Sequence, residues 1–116
     1  MSNEFTAELR HFISQNIEAL AQLEVLLLLR READRAWTNE EIAKSLYIAP
    51  EMSGVILNDL SRRGFVTNEG QVFRYLGASS ALDPMLGQLA DAYRDRRVAV
   101  ITEIYRRCAP SAPFLD

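Results

Sequence analysis

One cysteine and one histidine in 116 residues leave little for covalent or metal chemistry. A lone Cys108 cannot staple the fold internally, and a thiol of this kind fits a reducing compartment. No cysteine and histidine cluster has zinc spacing, and no glycine-rich phosphate loop or nucleophile elbow occurs. His11, beside Phe12 and Ile13, reads as a helix-face residue rather than a general base. These absences argue against an enzyme and call for no cofactor and no metal. An apolar run of the roughly 18 residues that spans a bilayer is also missing; Leu26–Leu29 is a short buried-helix signal. The start, Met1–Phe5, lacks the basic and then apolar order of a secretory leader, so a cytoplasmic protein without membrane contact is expected. There is little basic excess: net charge is −3 and the isoelectric point about 5.2, whereas a dedicated nucleic-acid binder usually carries a basic patch.

What remains is an ordinary globular composition, 48% hydrophobic and 25% charged, at a length that suits one domain. Its most informative stretch is Thr38 to Leu76. Thr38-Asn39-Glu40-Glu41 has the spacing of a capping box, in which the Glu41 N–H donates to the Thr38 hydroxyl and the Thr38 N–H donates to the Glu41 carboxylate. A helix buried through Ile42, Ala43 and Leu46 should follow. Tyr47-Ile48-Ala49-Pro50 then breaks it, with an apolar residue in mid-turn and a proline suited to the first position of a second helix. Ser53, Ile56, Leu57 and Leu60 recur at helical spacing as the inner face of that helix, which Ser61-Arg62-Arg63-Gly64 terminates. Phe65-Val66-Thr67 and Val72-Phe73-Arg74-Tyr75-Leu76 are strand-rich and are separated by the turn Asn68-Glu69-Gly70-Gln71.

Upstream, Phe5, Leu9, Phe12 and Ile13 mark a short amphipathic helix, with Ser2 as a candidate cap and a break near Ser14-Gln15-Asn16. A longer helix from about Ile17 to Glu32 is apolar on more than one side, and Arg35-Ala36-Trp37-Thr38 reads as a first strand with Trp37 as a core anchor. Downstream, Gly77-Ala78-Ser79-Ser80 reads as a linker. Asp83-Pro84 then opens one long helix to about Arg107, striped by Leu86, Leu89, Tyr93, Val100, Ile101, Ile104 and Tyr105. Arg96 and Arg97 interrupt that stripe. Either their stems lie along apolar surface, or they pair with Asp91 or Asp95 across a dimer seam. Ala109 to Asp116 reads as a loosely ordered tail.

The pattern from Trp37 to Leu76 resembles winged-helix transcriptional regulators of the broad MarR and ArsR type. Thr38 to Leu46 is similar to the first helix of their helix-turn-helix, and Pro50 to Val66 to their recognition helix and first wing strand. The resemblance implies a mainly α fold with a small antiparallel β wing. Residues 1–116 would form a single winged-helix domain, with terminal segments 2–33 and 84–108 flanking a winged core 36–76. It further implies double-stranded DNA as a partner, a recognition helix in the major groove, and a homodimer made by the terminal helices. The candidate DNA contacts are Asn58, as a base reader, and Lys44, Arg62, Arg63 and Arg74, as phosphate contacts or else solvated surface charges. They face competition, because Glu40, Glu41, Glu51, Asp59 and Glu69 make the same stretch slightly acidic. Met52, Gly54 and Val55 on the outer face of helix 50–63 support the alternative of a protein-interaction module that does not bind DNA. A rotated helix with Val55 in the core and Ser53 outside is the other reading of that face. Candidate protein contacts are Met52, Val55, Tyr93, Arg96, Arg97, Val100 and Ile104.

Overall fold

A computed structural model describes residues 6–76 and 83–108 of the chain. Within them run helices Ala7–Asn16 (α1) and Leu20–Arg31 (α2), strand Trp37–Thr38 (β1), and helices Asn39–Leu46 (α3) and Pro50–Arg62 (α4). Strands Val66–Glu69 (β2) and Val72–Tyr75 (β3) and helices Asp83–Asp95 (α5) and Arg97–Cys108 (α6) complete the order. The protein is thus mainly helical with one small antiparallel sheet, in the strand order β1–β3–β2. The chain divides into two compact units, one made of Met1–Leu20 with Met85–Asp116, the other of Ala21–Pro84. Helix α2, expected among the terminal segments, belongs almost wholly to the second unit.

Local signals set most of the element ends in the second unit. Thr38 and Glu41 form the reciprocal cap at 3.1 and 3.0 Å, and α3 starts there. Pro50 occupies the first turn of α4, where a missing N–H costs nothing. Past its last turn the Gly64 N–H donates to the Ser61 carbonyl and the Phe65 N–H to the Leu60 carbonyl, with Gly64 at φ 88°. This is the paired closure in which a left-handed residue is required, and Leu60 and Phe65, both fully buried, supply the accompanying apolar contact. The chain emerges from it directly into β2. Val66 pairs with Tyr75 and Glu69 with Val72, so the hairpin loop is only Gly70-Gln71, with Gly70 at φ 83°. The expected four-residue turn is shorter because Asn68 and Glu69 stay in the ladder, where a two-residue connection suits the strand twist.

Trp37, in register with Phe73, is buried as the core anchor it was expected to be, and the Arg35 guanidinium lies 3.6 Å over its ring. Leu23, Val25, Leu26, Leu28 and Leu29 are buried round much of α2, and Ile42, Leu57, Leu60 and Phe65 fill out the core of this unit. Ser53 is buried with Leu57 and Leu60, Ile56 is half-buried and Val55 is exposed, so the inner face of α4 has the expected phase and the rotated alternative is excluded.

In the first unit, Thr6 caps α1, its hydroxyl accepting from the Leu9 N–H at 3.0 Å; the Ser2 cap and Phe5 lie outside the described residues. The helix runs through Ser14 and Gln15 to Asn16, whose side-chain amide donates to the Phe12 carbonyl at 3.2 Å, so the break comes after these residues and not within them. Helix α6 packs on α1. The long C-terminal helix expected from Pro84 to Arg107 is two helices separated at Arg96. No glycine or proline marks that break. Between Ala92 and Val100 no residue is fully buried, so packing does not hold the segment straight. The expected linker 77–80 and tail 109–116 lie outside the described residues.

Candidate functional site

Helices α3 and α4 and the turn between them present the exposed large apolar residues Tyr47, Met52 and Val55. The turn is built without glycine. Tyr47 takes the left-handed conformation there, φ 58° and ψ 43°, and the Ile48 N–H closes back on the Ala43 carbonyl at 3.0 Å. A left-handed tyrosine costs roughly 1 kcal/mol against glycine. Its side chain recovers nothing by burial, being 94% exposed. A short tether holds the start of α4 against the start of α3: the Asn39 side-chain amide donates to the Pro50 carbonyl at 3.0 Å.

The outer face of α4 carries two further exposed apolar residues. Val55 is 69% exposed and Met52 49%, three residues apart and therefore on one side of the helix. Gly54 does not join them as expected. It is half-buried, and a Cβ built on it would lie 3.7 Å from the Asn39 amide, so it faces α3.

The candidate cations are placed differently from a phosphate-binding set. Asp59 accepts from Arg62 on one carboxylate oxygen at 2.5 Å, and from Arg63 and the Gln22 amide on the other at 2.7 and 3.1 Å. Both arginines are therefore drawn along the helix onto one acid. Arg74 donates to the Asp34 carbonyl at 3.0 Å and to Glu69 at 3.4 Å, so the β3 cation is also engaged within its own unit. Lys44 and Asn58 are exposed. Of the five candidate DNA contacts, the structure thus brings Arg62 and Arg63 together, but against a carboxylate.

The remaining candidate protein contacts lie in the first unit. Val100 and Ile104 are fully buried, part of the α6 face that packs within the chain, and cannot form a surface seam. Tyr93 is half-buried with the Arg97 guanidinium 4.8 Å over its ring, and half-buried Arg96 lines a cleft with Thr6, Leu9, Gln88, Asp91, Ala92 and Asp95. The described residues hold no group of acidic, histidine or cysteine side chains able to bind a metal ion, and no single described helix is long and apolar enough to cross a membrane.

Two residues matter more here than their sequence context conveyed. Tyr47 was legible only as an apolar residue in a turn; the missing glycine between two helices is the signal that its backbone is special. Asp59 was legible as an acid of the wrong sign for DNA, and its spacing of three and four residues before Arg62 and Arg63 is the signal that it would pair with both. Comparison with known proteins adds no relative, since no family model, no curated protein and no solved structure matches the chain.

Proposed function

We propose that Ala21–Pro84 is a winged helix-turn-helix unit that serves as a protein-docking module, with Tyr47, Met52 and Val55 as its contact residues. The order α2, β1, α3, α4, β2, β3 and the three-stranded sheet support the winged arrangement. Fold alone does not assign function, and the reading rests on the site. The observation that carries it is Tyr47. Its unfavourable backbone and exposed ring bring the folded chain no stability, and such residues are retained where the side chain is used. An exposed tyrosine on a fixed backbone is a low-entropy anchor for a protein partner, and the exposed Met52 and Val55 of α4 supply adaptable apolar area.

The test places a photo-crosslinking phenylalanine analogue at position 47 in the protein's native cells and repeats the experiment with Val55→Glu. A discrete protein adduct that Val55→Glu abolishes, with thermal stability unchanged to within about 0.5 kcal/mol as for an ordinary surface change, supports the reading. No discrete adduct, or one indifferent to Val55→Glu, overturns it.

A DNA-binding transcriptional regulator is the second reading, favoured by Asn58 and Arg62, four residues apart on the exposed side of α4, with Lys44 exposed on α3. It requires affinity for mixed-sequence duplex DNA at low salt that falls as salt is added. Under the docking reading the wild-type chain shows no such binding.

A further inference from the structure

We infer that Asp59 is a specificity residue: a fixed internal counter-ion that occupies Arg62 and Arg63 and so keeps the helix-turn-helix off the phosphates of duplex DNA. The carboxylate is not a mobile surface acid. Its side chain is 18% exposed, and the buried Gln22 amide on α2 donates to one of its oxygens, so swinging aside breaks that hydrogen bond. Arg62, by contrast, is 73% exposed at its side chain and sits at the end of α4, able to reach outward if its partner were gone. Arg63 is more enclosed and meets the same carboxylate oxygen as Gln22. A DNA phosphate competing for these two arginines would have to strip them from Asp59 and leave a partly buried carboxylate without its cations, a penalty that a solvated surface pair would not impose.

Each phosphate contact made by a cation contributes a salt exponent of about 0.9, which corresponds to roughly 3- to 4-fold in affinity between about 50 and 200 mM salt. Two arginines turned to phosphates therefore add about tenfold to the fall in affinity over that salt range, and at least that much to the affinity at its low end. Neutralising Asp59 without changing its shape, as in Asp59→Asn, leaves an oxygen to accept from Gln22 and takes the Asp59 ion pair away from both Arg62 and Arg63. This inference is independent of the docking reading, which stands or falls on Tyr47 and Val55, because its readout is DNA affinity.

The experiment titrates labelled mixed-sequence duplex DNA with wild type, with Asp59→Asn, and with Asp59→Asn carrying Arg62→Ala and Arg63→Ala, at low and near-physiological salt; circular dichroism verifies each fold. The expected result is that Asp59→Asn binds at low salt at least about tenfold more tightly than wild type with a salt slope steeper by up to about 2, and that the added arginine changes remove the gain. No gain in Asp59→Asn overturns the inference. So does a gain that survives loss of both arginines, since removal of one negative charge would then suffice. Should Asp59→Asn fail to fold, Asp59→Ala takes its place, and the same gain at low salt is expected; absence of that gain overturns the inference.

Discussion

The Tyr75 hydroxyl donates to an Asp83 carboxylate oxygen at 2.6 Å, and the Arg30 guanidinium donates to the same oxygen at 3.2 Å. Strand β3, helix α2 and the first residue of α5 are thereby joined at one acid within the Ala21–Pro84 unit. The Tyr75 hydrogen bond, with help from Arg30, holds the Asp83 carboxyl below the usual carboxylate range. Burial, reinforced by the bond to Asp83 and its charge, pushes the Tyr75 phenol well above its ordinary value.

The signs define a pH window. A carboxyl whose pKa is lowered on folding adds stability above about pH 4, its unfolded value, and that stability is lost as pH falls through the folded value. A phenol whose pKa is raised on folding adds stability that is full below about pH 10 and is lost as pH rises above it. Urea unfolding across pH is expected to show a plateau between these limits. Tyr75→Phe should lower the plateau by about 1–2 kcal/mol, for a hydrogen bond to a partly exposed charge, and should flatten both flanks. Equal loss at every pH with unchanged flanks would show that the phenol contributes packing alone.

Tyr47→Gly should separate stability from docking. Glycine relieves the left-handed backbone at the end of α3 and loses no buried side chain, so unfolding by urea is expected to show a gain of a few tenths to about 1 kcal/mol. The same change removes the exposed ring. A loss of stability greater than about 1 kcal/mol would mean that Tyr47 supports the fold after all.

Much of the architecture was legible in the sequence where its cause is local. The Thr38–Glu41 cap, Pro50 at a helix start, Gly64 past a helix end and the spacing of Ser53, Leu57 and Leu60 each act over a few residues, and the structure has all of them. The division of the C-terminal helix at Arg96 was not legible, because no breaker occurs there and a lapse in burial is a tertiary event. The same holds for Val100 and Ile104: a stripe at helical spacing says that a face is covered but not by what. Of the candidate site, the outward direction of Met52 and Val55 followed from phase. The pairing of Asp59 with Arg62 and Arg63 is a local spacing, whereas its hydrogen bond from Gln22, an α2 residue 37 positions away, is a tertiary contact that no spacing announces.

Glu103 on α6 is buried, and Arg10 on α1 donates to it at 3.0 Å while Arg106 approaches at 3.6 Å. Removing one member of a buried pair leaves an uncompensated charge, whereas replacing both by apolar residues is often neutral. Arg10 is itself partly exposed and Arg106 remains, so Arg10→Met alone is expected to cost about 1–2 kcal/mol. Arg10→Met combined with Glu103→Leu should return to within about 1 kcal/mol of wild type, a non-additivity that thermal or urea unfolding of the four proteins measures. Strict additivity would mean that the pair is not coupled.

Among the described residues of α6, Val98 and Tyr105 are the large apolar ones left exposed, and they lie seven residues, two turns, apart on one face. The homodimer expected through the terminal helices cannot use Val100 and Ile104, which are buried inside the chain, so on α6 it would have this face to use. In a symmetric antiparallel pairing of two copies, Val98 of one meets Tyr105 of the other, and the same register sets Arg97 opposite Arg106, both exposed. Two such like-charged juxtapositions oppose an apolar contact of only two large residues per copy, far short of the roughly 800 Å² per partner of a stable interface. Sedimentation equilibrium at about 10 µM, well above the dissociation constant of a standard-size interface, is accordingly expected to give the 13.1 kDa mass of one chain. A species of twice that mass that Val98→Glu dissociates would establish α6 as a dimer seam and require a register that keeps Arg97 and Arg106 apart.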